Sequence, residues 1–282
     1  MNFFDLHCDT PYECYTKNQE FKSNTLAVSS DKGVVFDKWY QTFAIWIKDD
    51  TEKPFELYKN ILEDFKKKLN CPSRNLTPIF AVEGGAVIGN DTDRLYQLKN
   101  DGIRYLTLTW NGANRIAGGI NSDSSLTDFG KKVIEKMNRL KIACDLSHLN
   151  EKSFLKALEI TEMPIATHSD CKAVFEHPRN LSDTQIKLIA QKGGIIGLCP
   201  YPHFLGGEVF YSMYKNILHI LRMGFEDNIA IGSDFDGAKM EPRLDSIDKI
   251  PDLYTYLRKK GLEIRLLNKI FFENANNFIA KL

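Results

Sequence analysis

Residues 142–168 read IACDLSHLNEKSFLKALEITEMPIATH, and the predicted fold follows from the order of elements in this segment. It contains two apolar runs of strand length, at 142–147 and 165–168. The segment between them, 151–161, carries apolar side chains at helical spacing. A strand, a helix and a strand in this order form a βαβ unit with parallel strands. Each of the two runs also ends at or next to a histidine.

The same alternation of apolar runs and amphipathic segments extends along the 282 residues. Strands are predicted at 3–7, 41–47, 78–83, 103–109, 142–147, 165–168, 194–199 and 229–233. Helices are predicted at 54–69, 127–140, 151–161, 182–191, 210–223, 246–260 and 263–280. The number of strands and the chain length are those of a (β/α)8 TIM barrel. We therefore predict an α/β fold in which residues 1–282 form one such barrel as a single domain, with a doubly wound open sheet as the alternative.

Composition excludes several classes of function. Lys+Arg and Asp+Glu each count 37, so the net charge is zero and no basic excess indicates a nucleic-acid partner. No apolar stretch approaches the roughly 20 residues that cross a bilayer, so no membrane partner is predicted. Six cysteines occur without a CxxC pair. Such scattered cysteines favour reduced thiols and a cytoplasmic location. A homodimer is left open.

The chain opens with the unusual motif Asp5-Leu6-His7-Cys8-Asp9. If residues 2–9 form a strand, the alternation of its side chains places Asp5, His7 and Asp9 on one face. An imidazole and a carboxylate at a strand end can bind a borderline metal such as zinc. The alternative is a capped turn that contains a hydrogen-bonded histidine.

The barrel fold would bring more metal-binding side chains to the same place. Active sites of this fold lie where the carboxyl ends of the strands meet. The unusual polar residues predicted at those ends are His7, Asp9, Glu83, His148, His168 and Asp234. Asp234 is the candidate general base, and Asp236 is predicted to cap or brace the loop. More ligands are present than one zinc ion requires, so they suit two ions that share Glu83 and promote hydrolysis. Glu83 in a solvent-facing turn is the alternative.

Six short motifs are distributed from residue 5 to residue 237. They are Asp5-Leu6-His7-Cys8-Asp9, Val82-Glu83-Gly84-Gly85, Asp145-Leu146-Ser147-His148, Thr167-His168-Ser169, His177-Pro178-Arg179-Asn180 and Ser233-Asp234-Phe235-Asp236-Gly237. Together, and in this order, they resemble the membrane (renal) dipeptidase family of zinc-dependent hydrolases, in its compact microbial type.

The resemblance implies a barrel of the metal-dependent amidohydrolase type that holds two zinc ions. It implies a zinc-dependent dipeptidase, which hydrolyses the amide bond of a dipeptide with a hydroxide that bridges the metals. The implied ligands are His7 and Asp9 for one ion, His148 and His168 for the other, and Glu83 as the bridge. The implied catalytic residue is Asp234, which would transfer the proton of the bridging water.

The resemblance also implies substrate contacts. Arg179 matches an arginine that binds the C-terminal carboxylate, a task that suits the two parallel donors of a guanidinium. A surface arginine in a loop is the alternative. Tyr201 loosely matches a substrate-binding tyrosine. Where members of the mammalian type have a histidine, this chain has Trp110. Its indole N–H, or the nearby Asn111 or Asn114, can donate a hydrogen bond but cannot act as a cationic donor, so oxyanion stabilisation is expected to depend on zinc.

Two other functions fit the same residues. One is a binuclear metal hydrolase of another small amide, a lactam or a lactone. Arg179 distinguishes that possibility, because a substrate without a carboxylate would not need it. The other is a catalytically inactive metal-binding barrel, which the complete ligand set together with Asp234 argues against.

Overall fold

The computed structural model describes residues 1–70 and 73–282. Its eight strands are β1 Asn2–Asp5, β2 Lys38–Trp46, β3 Leu76–Glu83, β4 Ile103–Thr107, β5 Ala143–Asp145, β6 Pro164–Ala166, β7 Ile195–Leu198 and β8 Ile229–Ile231. They pair in chain order, all in parallel, and the contact of Asp5 with Ile231 closes the ring. The predicted (β/α)8 barrel is confirmed, and the open sheet is excluded.

Eleven α-helices are found in the described part of the chain. They are α1 Thr10–Thr16, α2 Pro54–Lys68, α3 Arg94–Asn100, α4 Asp128–Leu140, α5 Glu151–Ile160, α6 Asp183–Gln191, α7 Pro202–Leu205, α8 Val209–Arg222, α9 Ile250–Lys259, α10 Ile264–Asn268 and α11 Asn274–Ile279. The bounds of α2, α4, α5, α6 and α8 agree with the prediction to within one residue. The helices α1, α3 and α7 were not predicted, because seven residues or fewer carry almost no helical periodicity.

The two predicted C-terminal helices differ from the observed ones, the first at its start and the second in its interior. The helix predicted at 246–260 begins only at Ile250, after a 3-10 turn at Ile247–Lys249. The segment predicted at 263–280 is divided into α10, a π-helical turn at Lys269–Glu273, and α11. Phe272 in the π-turn and Phe278 in α11 belong to the same apolar cluster as Phe4 and Tyr105 of the barrel interior. This end of the barrel is therefore filled with apolar side chains, and the opposite end remains for polar ones.

The first strand is shorter than predicted, and this corrects the interpretation of the opening motif. β1 ends at Asp5, so Asp5, His7 and Asp9 do not share one strand face. Asp5 is fully buried, and its carboxylate accepts hydrogen bonds from Gln41 Nε2 at 2.8 Å and from the Ser233 amide and hydroxyl at 2.8 and 2.6 Å. Because both of its oxygens are occupied, Asp5 fixes the junction of β1, β2 and β8 and is not free to bind a metal.

Two further findings concern the predictions about membrane-spanning segments and cysteines. No helix among the described residues is long and apolar enough to cross a membrane. Five cysteines, Cys8, Cys14, Cys144, Cys171 and Cys199, are buried free thiols. The sixth, Cys71, lies outside the described residues.

Candidate metal centre

Glu83, the last residue of β3, lies at the centre of the polar end of the barrel. Its Oε1 is 2.7 Å from His148 Nε2 and 3.7 Å from His168 Nε2, and its Oε2 is 3.4 Å from His7 Nε2. Only 3% of Glu83 is exposed to solvent. A buried carboxylate that points its two oxygens at different imidazoles has the arrangement needed to bridge two cations.

The five predicted ligands converge in two groups that share Glu83. One group is His7, Asp9 and Glu83, and the other is Glu83, His148 and His168. The donor atoms within each group lie within 4.8 Å of one another. Asp234 approaches His7 and His168 within the same limit. The structure therefore brings together all five residues for which a metal contact was predicted, although they come from the ends of four different strands, β1, β3, β5 and β6.

The unpaired donors in this cluster fit a metal. His7 Nε2 and Asp9 Oδ1 are buried and make no hydrogen bond within the described protein. Leaving such groups unpaired costs about 1–3 kcal/mol each. In addition, His148 Nε2 and His168 Nε2 lie only 2.7 Å apart. Nitrogen and carboxylate donors of this kind suit zinc, whose positive charge would satisfy the lone pairs that the protein leaves free.

A second layer of side chains orients two of the imidazoles. His168 Nδ1 lies 2.8 Å from the Thr167 hydroxyl, which itself donates to Asp145 Oδ2 at 2.7 Å. His148 Nδ1 donates to Asn111 Oδ1 at 2.8 Å. Because these contacts engage Nδ1, they leave Nε2 of each ring facing Glu83, as in metal sites in which the outer nitrogen is held by an oxygen.

This layer was not anticipated from the sequence. Asn111 was predicted as a substrate contact, and it does line the cavity, but its side-chain oxygen is engaged by His148. Asp145 and Thr167 belong to motifs of the resemblance, but no role was predicted for either residue. The signal available for Asp145 was a carboxylate inside an apolar run, since such a group is seldom buried without partners.

The electrostatics of the site favour neutral imidazoles at two ligand positions. Burial, with Arg179 nearby, lowers the pKa of His148 to about 4. Burial and the charge of His7 hold the pKa of His168 well below its usual value. Neutral imidazole is the form that binds a metal. Burial acts to raise the pKa of Glu83, but His7 and His148 outweigh it, so that pKa lies well below the usual range and Glu83 is ionised.

The pKa of Asp234 is shifted in the opposite direction to that of Glu83. Burial raises the pKa of Asp234 to about 7, although His7 opposes the shift. This residue is half-buried at the edge of the cavity. A carboxyl group that titrates near neutral pH can both accept and return a proton, as general acid–base catalysis requires.

Three residues at this end of the barrel adopt a left-handed backbone conformation that is unusual outside glycine. The φ angles are +69° at His148, +56° at Asp234 and +68° at Asp236. Such strain occurs mostly where the surrounding structure enforces it for function. Asp236 Oδ2 accepts from the Thr10 hydroxyl at 2.7 Å and Oδ1 from the Ala27 amide at 2.6 Å. Asp236 therefore braces the loop that carries Asp234, as predicted.

The remaining predicted residues line a cavity of about 770 Å3 above Glu83. This is within the range of roughly 300–1,000 Å3 typical of small-molecule sites. Arg179, Tyr201 and Trp110 are among the lining residues. Arg179 is 8% exposed, and its Nη2 donates to the His168 carbonyl at 3.4 Å. Burial lowers the pKa of Arg179, against the raising effect of Asp234, but a guanidinium keeps its charge at neutral pH.

The fold and this cluster define a metal-dependent hydrolase on a (β/α)8 barrel. The model of the membrane dipeptidase family, peptidase family M19, matches residues 42–281. The chain therefore belongs to the membrane dipeptidase family and is a metallopeptidase that hydrolyses dipeptides.

Two relatives of known sequence match more than two thirds of this chain. A protein encoded in the pqqA 5′ region of Klebsiella pneumoniae is 30% identical over 215 residues, which cover 71% of this chain and 79% of that protein. An uncharacterised dipeptidase of Schizosaccharomyces pombe is 30% identical over 221 residues, which cover 74% of this chain and 54% of that protein.

Solved structures show the same fold. A metallopeptidase from Rhodobacter sphaeroides, liganded with a phosphinate mimic of the dipeptide L-Ala-D-Ala, superimposes with a TM-score of 0.89 at 23% identity over 99% of each chain. A dipeptidase of family M19 gives a TM-score of 0.90 at 23% identity, covering 99% of this chain and 98% of that one.

Proposed function

We propose that the protein is a zinc dipeptidase with a binuclear centre. His7 and Asp9 would hold one ion, His148 and His168 the other, and Glu83 both. The observation that carries the proposal is the position of Glu83, whose two carboxylate oxygens face three imidazoles from three different strand ends. When bound, two zinc ions lower the pKa of water and polarise a carbonyl group.

The side chains around the metal centre would supply the other parts of the reaction. Asp234, with its raised pKa, would take the proton of the attacking water and return it to the leaving amine. Arg179 would bind the free carboxylate of the substrate. It lies on the same cavity as Asp234, and its guanidinium makes one hydrogen bond to the described part of the protein, which leaves donors for a ligand.

The binding of one free carboxylate next to the reacting bond determines which bond of a peptide is cleaved. If Arg179 anchors the C-terminal carboxylate, the scissile bond nearest to it is the last one of the peptide. A cavity of about 770 Å3 has the size of a small-molecule site. The carboxylate anchor beside the metal centre supports a dipeptide as the substrate.

A metal titration combined with a dipeptide assay tests the proposal. Dialysis against a chelator should abolish hydrolysis of Gly-Ala, and two equivalents of zinc per chain should restore it. Arg179→Ala should raise KM for dipeptides by about 100-fold, as expected for loss of a charge-assisted pair worth about 3 kcal/mol. Arg243→Ala, which removes an arginine paired with Glu208 outside the cavity, is the matched control and should leave KM unchanged.

The same variant distinguishes the alternative substrates. A lactam, lactone or amide without a carboxylate should be hydrolysed equally by the wild type and by Arg179→Ala. Faster turnover of such compounds than of any dipeptide would refute the dipeptidase proposal while preserving the hydrolase assignment. Metal binding at a stoichiometry other than two would refute the binuclear centre.

We also propose, as expected from the sequence, that residues 1–282 act as one catalytic domain and that the protein is cytoplasmic. The five buried free thiols support a reducing compartment. Fractionation of cells with an antibody against the protein tests the location, and recovery from a secreted or periplasmic fraction would contradict it.

A further inference from the structure

Aromatic side chains line the cavity in two separate groups. The first consists of Tyr12, Trp46 and Trp110, which we call the tryptophan wall. The rings of Tyr12 and Trp46 meet edge to face with centroids 4.8 Å apart, and those of Trp46 and Trp110 do so at 5.2 Å. The second group surrounds Arg179, whose Cζ lies 5.2 Å from the ring centroid of Phe204.

The barrel topology places the two groups on opposite sides of the cavity. Trp46 is the last residue of β2, and Trp110 follows β4. Arg179 follows β6, and Phe204 follows β7. In a closed ring of eight strands paired in chain order, β2–β4 lie across the mouth from β6–β8. A dipeptide with its carboxylate on Arg179 and its amide bond over Glu83 therefore extends its N-terminal residue towards the tryptophan wall.

We propose that the tryptophan wall binds the side chain of the N-terminal residue and makes the enzyme prefer dipeptides with a large apolar or aromatic residue there. This inference depends on the proposed function, because it uses the substrate orientation set by Arg179. Two half-buried indole rings and a phenol ring offer apolar surface and edge-to-face contacts to an aromatic ring.

The hydrogen bonds behind the wall explain how it is held in place. Asp49, in the loop after β2, accepts from the Trp110 amide at 3.2 Å and from Asn114 Nδ2 at 3.1 Å through Oδ1. Its Oδ2 accepts from the Gly112 amide at 2.9 Å. Asp49 thus ties the loop after β4 to the loop after β2 and fixes Trp110 next to Trp46. It is a positioning residue for the wall.

The same contacts argue against a preference for a cationic side chain. Both oxygens of Asp49 are occupied by the loop it holds. Glu13, an acid that lines the cavity beside Tyr12, forms an ion pair with Lys17. Asp49 and Glu13 are therefore engaged by other groups of the protein, and the wall presents its rings to the substrate.

Dipeptide kinetics on one variant test the inference. In Trp46→Ala, the ratio of kcat/KM for Phe-Ala to that for Gly-Ala should fall at least about tenfold, the lower range of what a hydrophobic pocket discriminates. The ratio for Gly-Phe to Gly-Ala should stay within about twofold, because it reports the other side of the cavity. Tyr96→Ala, which removes an exposed aromatic residue on α3, should change neither ratio.

A binding measurement gives a second test that needs no turnover. Phosphinate mimics of Phe-Ala and Gly-Ala are titrated by calorimetry into the zinc-loaded protein. The wild type should bind the Phe-Ala mimic at least about tenfold more tightly, and Trp46→Ala should lose this difference. Asp49→Ala should reduce it, and Asp49→Asn, which keeps one acceptor oxygen, should restore part of it. If Trp46→Ala does not fold by circular dichroism, Trp46→Leu replaces it.

The outcomes separate this inference from the proposed function. An unchanged Phe-Ala to Gly-Ala ratio in a folded Trp46 variant overturns the inference and leaves the dipeptidase intact. A wild-type preference for Lys-Ala over Phe-Ala also overturns it. Failure of the wild type to hydrolyse any dipeptide refutes the proposed function. In that case, a selectivity for the Phe-Ala mimic that disappears in the variant still supports the wall as a binding pocket.

Discussion

Asp145 controls the orientation of the metal-binding histidines, and its replacement by asparagine gives the sharpest test of the site. Its Oδ1 accepts from the backbone amides of Ser147 and Thr167, both at 3.1 Å. Its Oδ2 accepts from the hydroxyls of Thr107 at 2.6 Å and Thr167 at 2.7 Å. Because the Thr167 proton points at Asp145, the Thr167 oxygen accepts from Nδ1 of His168. His168 is thereby held with Nε2 free to bind a metal.

In Asp145→Asn, an NH2 group replaces Oδ2 and donates to Thr167. The Thr167 proton is then released to donate to His168 Nδ1, which favours the tautomer that carries its proton on Nε2 and cannot bind zinc. Loss of such an outer partner typically weakens metal binding 10–100-fold, or by about 1.4–2.8 kcal/mol. The two backbone hydrogen bonds to Oδ1 survive, so the loss in unfolding free energy should stay within about 1–3 kcal/mol.

The assay is a competition titration of the metal-free protein with zinc and a chromogenic chelator, with near-ultraviolet circular dichroism as the measure of folding. The Kd of the zinc site that contains His168 should rise 10–100-fold in Asp145→Asn, and the other Kd should change less. Asp183→Asn is the matched control, because Asp183 also contacts a histidine, His219 Nε2 at 2.7 Å, but outside the cavity. A folded Asp145→Asn protein that binds zinc as tightly as the wild type would refute this reasoning.

Three more changes have defined outcomes. His168→Ala should bind one zinc ion instead of two and lose most activity while keeping its fold. Plasma emission spectrometry of the purified variant measures the metal, and a content of two ions would remove His168 from the ligand set. Asp234→Asn preserves the shape of the side chain and tolerates the positive φ, so it should keep both metals and lower kcat about 100–10,000-fold; rates near those of the wild type would exclude proton transfer by Asp234. Ser182→Ala removes the capping box at the start of α6, in which Ser182 Oγ accepts from the Gln185 amide. The free energy of unfolding, measured by urea denaturation, should fall by about 1 kcal/mol, and kcat/KM should stay unchanged.

Much of the fold was predictable because its signals are local. The apolar runs and helical periodicities gave all eight strands and most of the longer helices, since strands buried on both faces need continuous apolar sequence. Ser182 and Gln185 identified the start of α6 by a capping box that the structure contains. The strand ends were less predictable. Strand pairing stops at Asp145 and Ala166, and His148 and His168 lie in the turns that follow.

Asp5, which the alternation of a strand would place on one face with His7 and Asp9, shows where local sequence is not sufficient. Its spacing from His7 matched that of Asp9, but only the tertiary structure reveals the four donors that occupy its oxygens. Three of these donors come from Gln41 and Ser233, which are far from Asp5 in the chain. A carboxylate that binds a metal and one that braces a barrel have the same local sequence signal.

Local sequence is enough to show which side chains are available and that they follow apolar strands. Periodicity and residue chemistry are local properties, so the barrel and its ring of histidines, Glu83 and Asp234 follow from them. Only the tertiary structure shows which carboxylates remain free, which hydroxyl sets the tautomer of His168, and which aromatic rings face Arg179 across the cavity. Each of these depends on distances between residues that are remote in the chain, and the closure of the barrel fixes those distances.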